Sequence, residues 1–362
     1  MINLAKRIVH MLNSMGMGGT ENLLMNLYQN LDREKYQFDF ILQSNKESIF
    51  ENQIKELGGN IYKIPRIEKH PLKHLLELRK ILKKNEYIAF HRHTANSIVF
   101  TDLVVAKLAN VKRLIIHSHS TSHPKAWLNK LFRPLAYALA DEHLACSKAA
   151  GEWLYGDKQF DILNNGIQIE KHEYSEKTRK MTREKFGFTD NDIVIGHVGR
   201  FDEPKNQRYL IEVFEQLTKL SNQYKLVLCG DGELRGELNL YCKENGLGDK
   251  VLFLGVRKDV NEILQAMDLF AFPSKYEGLG MALIEAQLTS LPCFISPYIP
   301  EEAIYNNNIL KLGIEETNKE EWVKQIIALP ITTAYRTYKN EALYNDYNIK
   351  NVVAKLCEMY EK

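Results

Sequence analysis

The chain has 362 residues, 44% hydrophobic and 26% charged, with 48 Lys and Arg against 46 Asp and Glu. That length exceeds one ordinary core and predicts two domains. No apolar run approaches the ~18 residues that span a bilayer, and the N-terminus lacks a signal peptide's apolar core, so a cytoplasmic chain is expected; five scattered cysteines, odd in number and without metal-ligand spacing, indicate neither a disulfide framework nor a zinc site.

Apolar, β-rich runs alternate with helical patterns along the whole chain, which predicts parallel sheets built from βαβ units. The first run, KRIVHML (6–12), leads into MGMGGTENLLMNLYQNL. Gly16, Gly18 and Gly19 there allow backbone amides to approach a phosphate or sugar closely, although a plain tight turn reads equally well. A dinucleotide fingerprint would need glycine at position 21, which is Glu21.

After FDFILQ (38–43) comes a basic stretch from Lys63 to Lys84, with Arg66, Lys69, Lys73, Arg79, Lys80 and Lys83 interleaved with leucines at near-helical spacing. It reads first as a packed helix with a solvated basic face, and second as a helix lying on an anionic membrane. Residues 1–172 hold 24 Lys and Arg against 17 Asp and Glu, while the remainder holds 24 against 29. Such asymmetry suits an anionic partner for the first half; without aromatic–basic interleaving, nucleic acid is not that partner.

YIAFHRH (87–93) and RLIIHSHS (113–120) each end in two histidines spaced to share a face. His117 and His119 could begin a metal site, but no third ligand stands near them in sequence, so a hydrogen-bonded structural role is the first reading. Past ILNNGI (162–167), the polar stretch Lys171 to Arg183 reads as a connector, giving domains at 1–172 and 173–344, with a terminal helix at about 345–362 packing back on the first.

In the second half, IVIGHVGR, KLVLCGDG, VLFLGV, LFAFPS and PCFIS are short apolar strands that stop at glycine, serine or charge. Ligands in such sheets bind at the carboxyl ends of strands. Arg200 and Lys205 follow the first of these strands, where two cations can neutralise a diphosphate or pair with Asp202 and Glu203. PSKYEGLGMALIEAQ carries Glu277 and, eight residues on, Glu285 within an apolar helix, where an ionised carboxylate is costly unless paired. The turn Gly278, Leu279, Gly280 offers amides at that helix's N-terminus. Carboxylates for hydroxyls and amides for phosphate suit a nucleotide sugar.

The succession GMGGTE, HSHS, ACSKAAGEWLYG, NNGI, VGRFDEPKN, LCGDGEL, LGVRKDV and KYEGLGMALIEAQ resembles the family 4 glycosyltransferases, in particular those of capsule and exopolysaccharide biosynthesis. The resemblance spans nearly the whole chain and implies the GT-B fold, two Rossmann-like domains facing across a cleft, with a retaining transfer from a nucleotide sugar and no metal ion. It implies that Glu277 binds donor-sugar hydroxyls, Glu285 the ribose, and Arg200 and Lys205 the diphosphate. Gly18 and Gly19 with the amides of Gly278, Leu279 and Gly280 would enclose the phosphates. His119 would stand near the donor sugar, and Val256 and Arg257 near the base. Gln168 follows NGI where the family usually has Asp, and GDGEL is permissive, so the donor's identity stays open. The branch implies a lipid-linked saccharide acceptor at the inner face of the cytoplasmic membrane, with peripheral contact to anionic lipid. Two other readings remain: a non-catalytic donor-binding subunit of a polysaccharide assembly complex, and a sugar-nucleotide epimerase of the same fold.

Overall fold

A computed structural model of the chain describes residues 5–16, 19–44, 48–122 and 126–362. It forms two compact units, Met1–Ile167 with Asp346–Lys362, and Gln168–Asn345. The first holds strands β1 (Lys6–Leu12), β2 (Tyr36–Leu42), β3 (Ile61–Lys63), β4 (Tyr87–Thr94), β5 (Arg113–Ser118), β6 (Glu142–Ala145) and β7 (Asp161–Ile162), and the second β8 (Ile193–Val198), β9 (Tyr224–Cys229), β10 (Val251–Gly255), β11 (Leu269–Phe272), β12 (Cys293–Ile295) and β13 (Ile309–Lys311). The sheet orders are β3-β2-β1-β4-β5-β6-β7 and β10-β9-β8-β11-β12-β13, with every recorded strand pair parallel.

Both sheets are doubly wound, so apolar residues face helices on both sides and the strands read as near-continuous hydrophobic runs. In the first unit the helices Gly19–Gln29 and Ile349–Glu361 share one core with β1 and β2, through Leu24, Tyr28, Phe38, Phe40, Val352, Leu356 and Tyr360. The helices Pro71–Lys84 and Phe100–Leu108 join Phe90 and Ile116 in another core through Leu78, Leu82 and Leu103. In the second, Trp322, Phe214 and Leu217 close over β8, β9 and β11. The order reverses at β1/β4 and at β8/β11; in such sheets these are the points where a crevice opens at the strands' carboxyl ends.

Three segments differ from their sequence reading. The polar stretch taken as a connector contains the helix Glu176–Lys185 of the second unit. Its Arg179 and Arg183 are buried, because both pair with the buried Asp268, Arg179 donates to the carbonyls of Gln265, Ala266 and Met267, and Arg183 donates to that of Ala266. The first unit ends at Ile167, whose amide donates to Tyr347 O (2.6 Å) and whose carbonyl accepts from Ile349 N (3.0 Å), tying the loop after β7 to the terminal helix. In the basic helix Pro71–Lys84, Leu78 and Leu82 are buried, but Leu72 and Leu76 are 78% and 67% exposed, so the apolar face is only partly covered. All five cysteines are free thiols.

Candidate active site

Most of the residues singled out in the second half meet at the β8/β11 switch point. Lys205 ends a short 3-10 turn, Glu203–Lys205, that follows β8, and Glu277 follows β11. Lys205 Nζ donates to Glu277 Oε1 at 2.5 Å, with both side chains largely buried, and lies 5.2 Å from the Phe272 ring centre. The pairing of Lys205 with Asp202 or Glu203 weighed from sequence does not occur; Glu203 pairs with Lys275 instead. Arg200 is 70% exposed and only approaches Asp202, at 3.8 Å, which leaves its guanidinium accessible to an anion.

The helix Met281–Leu288 begins after Gly280, whose φ of +84° suits glycine and whose Cβ, if present, would lie 3.0 Å from Phe272. Among the described residues, the amides of Gly278, Leu279 and Gly280 donate to no backbone carbonyl, so they remain available at the helix N-terminus. Leu283, Ile284, Ala286 and Leu288 are buried. Glu285 is part-buried among them, and burial pushes its carboxyl up to about 7, the desolvation expected of a carboxylate on an apolar helix.

Val256 and Arg257 follow β10. Val256 is 78% exposed, and Arg257 is held by a forked pair to Asp259 (Nε–Oδ1 2.8 Å, Nη2–Oδ2 2.6 Å) beside an open pocket of about 630 Å³ that also takes in Lys171 and Asn261. With its guanidinium engaged in this way, Arg257 is positioned as a rigid wall rather than as a mobile charge.

The sequence reading missed what holds these loops. Gly199 N donates to Cys229 O (2.9 Å), Phe201 N to Asp231 O (3.0 Å) and Gly230 N to Gly255 O (2.9 Å), so the loops after β8, β9 and β10 are stitched in a row. Gly230 sits at φ +139°, and a Cβ there would fall 1.9 Å from Gly199 O. The GDG stretch, read as permissive for donors, is thus a packing requirement. Buried Gln207 donates to Arg200 O (2.6 Å) and contacts His197 Nε2 (3.2 Å), while His197 Nδ1 bonds Ala271 O (2.9 Å). Burial lowers the His197 imidazole to about 4, which keeps it neutral under Arg200 and Lys205. A histidine within IVIGHV was the available signal.

In the first unit, Gly19 opens the helix Gly19–Gln29 with nothing within 4 Å of a would-be Cβ; Gly18 lies outside the described residues. His119 follows β5, and its amide donates to Thr94 O (3.1 Å). It lines a pocket of about 260 Å³ with His93, Asn13, Thr20 and Glu21. The third imidazole that the sequence did not place near His117 and His119 is supplied by strand register: β4 and β5 pair His93 with His117, and His93, His117 and His119 offer ring nitrogens within 4.8 Å of one another. Burial lowers His119 to about 3 and holds His93 and His117 well below the usual range, so all three are neutral.

Comparisons with known proteins bear on the family and the fold. Residues 17–171 match the family described as Glycosyltransferase Family 4, and residues 178–341 that described as Glycosyl transferases group 1. The putative glycosyltransferase EpsF of Bacillus subtilis is 33% identical over 95% of this chain and 97% of its own. A UDP-Gal:alpha-D-GlcNAc-diphosphoundecaprenol alpha-1,3-galactosyltransferase of Escherichia coli is 26% identical over 80% of this chain and 79% of its own. The crystal structure of Anabaena HepE in complex with UDP shares the fold, with a TM-score of 0.80 at 18% identity over 98% of this chain and 99% of that one. The chain therefore belongs to the family 4 glycosyltransferases, with the GT-B fold of two parallel-sheet α/β domains.

Proposed function

We propose that this glycosyltransferase moves a hexosyl unit from a UDP-sugar to a hydroxyl of a lipid-linked saccharide, with retention of anomeric configuration, in capsular or exopolysaccharide biosynthesis. The observation that carries the reading is the β8/β11 cluster: the Lys205–Glu277 pair beside the unbonded amides of Gly278 to Gly280. A donor displaces that pair's mutual contact with better-matched partners, sugar hydroxyls for Glu277 and diphosphate oxygens for Lys205 and Arg200. Glu285 accepts from the ribose, the backbone at Val256 and Arg257 faces the base, and Gly18 and Gly19 add amides to the phosphates. His119 serves the donor sugar.

In the transfer, the bond from the anomeric carbon to the β-phosphate oxygen breaks and a bond to the acceptor oxygen forms on the same face. The β-phosphate takes the acceptor's proton. Arg200, Lys205 and the glycine amides stabilise the charge that develops on the diphosphate, so the reaction is assigned without a metal cofactor. The lipid-linked acceptor is supported by the Escherichia coli relative, whose name gives a diphosphoundecaprenol-linked acceptor, and by the first unit's surface. There, exposed Leu72 and Leu76 stand on a helix with exposed Lys73, Lys80 and Lys83, near a pocket of about 580 Å³ lined by Lys63, Arg66, Lys69 and Lys73. Such a surface suits peripheral contact with anionic lipid at the inner face of the cytoplasmic membrane.

The test is transfer by Glu277→Ala, Arg200→Ala and Lys205→Ala. Each should lose at least about a hundredfold in kcat/KM, since each removes a charge-assisted contact made to the reacting donor. Near-normal transfer by all three sinks the assignment. Donor bound but never turned over indicates a binding subunit instead, and a changed sugar released without acceptor indicates an epimerase.

A further inference from the structure

Strands alternate their side chains, so His10 on β1, His91 and His93 on β4, and His117 on β5 share one face of the first sheet, and His119 continues that row just past β5. Register sets His10 beside His91 and His93 beside His117. The terminal helix Ile349–Glu361 covers this face and inserts Tyr360. The polar atoms are not randomly arranged. Tyr360 Oη lies 3.0 Å from His91 Nδ1 and 3.5 Å from His10 Nε2; His10 Nδ1 is 3.1 Å from His93 Nε2; and His93 Nδ1 is 2.9 Å from His119 Nε2. One hydrogen-bonded ladder thus runs from the terminal helix, across β1 and β4, to His119.

Each rung is a neutral imidazole, because burial holds His10 and His119 down to about 3 and His91 and His93 well below their usual range. A neutral imidazole has one N–H and one lone pair, so direction passes unchanged from imidazole to imidazole; at Tyr360 it passes because a hydroxyl that accepts from one imidazole donates its single proton to the other rather than leave it unpartnered. The far end makes the choice. His91 Nε2 is buried with no hydrogen-bond partner among the described residues. A bare lone pair is tolerated there better than an orphaned N–H donor, which puts the His91 proton on Nδ1. His91 Nδ1–H then donates to Tyr360 Oη, Tyr360 O–H to His10 Nε2, His10 Nδ1–H to His93 Nε2, and His93 Nδ1–H to His119 Nε2. The remaining proton of His119 is left on Nδ1.

We propose that His93, His10 and Tyr360 are positioning residues that lock His119 in its Nδ1-protonated tautomer, so that it offers an N–H donor, not an acceptor, to an oxygen of the bound ligand. That the ligand is the donor sugar rests on the proposed function; the tautomer does not. The weak rung is the 3.5 Å step from Tyr360 to His10, and Tyr360→Phe removes it while keeping the ring that packs against Phe38.

The experiment uses the full chain labelled with nitrogen-15 in its imidazoles, with the His119 signals identified by their loss in His119→Gln. Unmodified protein should show a protonated Nδ1 and a bare Nε2 at His119. Tyr360→Phe should turn this into a mixture of tautomers and lower kcat about fivefold, the equivalent of one hydrogen bond, with KM for the acceptor unchanged. His10→Phe, which cuts the ladder beside Phe38 and Phe40, is the second variant if Tyr360→Phe does not fold, and thermal unfolding checks both. An Nε2-protonated His119 in the unmodified protein, a tautomer or a kcat indifferent to both variants, or a stoichiometric transition metal bound to the histidines overturns the proposal. Should the protein turn over no donor at all, the proposed function fails while the tautomer measurement still decides the ladder.

Discussion

Glu285 carries a cost in the folded protein that no neighbouring charge among the described residues offsets. Burial raises its carboxyl from the usual value near 4.5 to about 7, so the native state holds a proton that the unfolded chain has already released. Between pH 4.5 and 7 the native form therefore binds more protons, and its stability falls as pH rises through that window. Glu285→Gln, which cannot ionise, should unfold at a similar temperature near pH 4.5 and gain on the parent as pH rises, by about 3 kcal/mol at pH 7.5. Thermal unfolding across pH measures this; parallel curves for the two proteins would show that the carboxyl is not desolvated. On the proposed function the same substitution should weaken nucleotide-sugar binding, because it removes the carboxylate which that reading assigns to the ribose. Glu277 shows the opposite solution: its charge is met by Lys205. The glutamate pair was visible in the sequence from its spacing and its apolar setting. That one partner would be paired and the other not required the β8/β11 adjacency.

At the scale of elements, the strand-end loops work as a set. The chain of contacts Gly199 to Cys229, Phe201 to Asp231 and Gly230 to Gly255 needs backbones closer together than a side chain allows. Gly230→Ala places a methyl group against a carbonyl and imposes a strained φ, which costs roughly 1–3 kcal/mol and shifts the loop bearing Arg200. Donor affinity should drop by at least about tenfold through that displacement of a charge-assisted contact. Gly236→Ala, where nothing lies within 4 Å of the added carbon, should change neither stability nor affinity appreciably and is the control. Equal effects from both would separate the glycines from the site. The strands themselves were legible because each is a short apolar run ending in glycine, serine or charge. The strands β3, β6, β7 and β13 were not, because runs of two to four residues carry too little periodicity to register.

Across the whole molecule, the excess of basic residues falls in the first half of the chain, and the structure adds apolar side chains to it. Leu72 and Leu76 are exposed on the basic helix, and Leu108, Trp127, Leu131 and Leu135 are exposed on the helices Phe100–Leu108 and Ala126–Leu139 of the same unit. In the proposed membrane contact, charge would attract this surface to anionic lipid and the leucines would anchor it. Flotation with anionic vesicles should recover the protein at low salt and release much of it at high salt; Leu72→Asp with Leu76→Asp should lower recovery severalfold at either salt. Equal recovery with neutral and anionic vesicles would remove lipid charge from the account.

The sequence by itself determined the class of the molecule: two parallel α/β units, a glycine-opened first helix, cations after one strand and a glutamate pair after another. All of these are local patterns of period, turn residue and spacing. What only the tertiary structure decided is who meets whom. The polar stretch 171–183 looked like a connector until Asp268, some 85 residues away, was found to bury Arg179 and Arg183. His117 and His119 looked like an isolated pair until strand register brought His10, His91 and His93 onto the same face. Burial of charge and the direction of a hydrogen-bond ladder depend on partners far apart in the chain, and only the sheets' order and register bring those partners together.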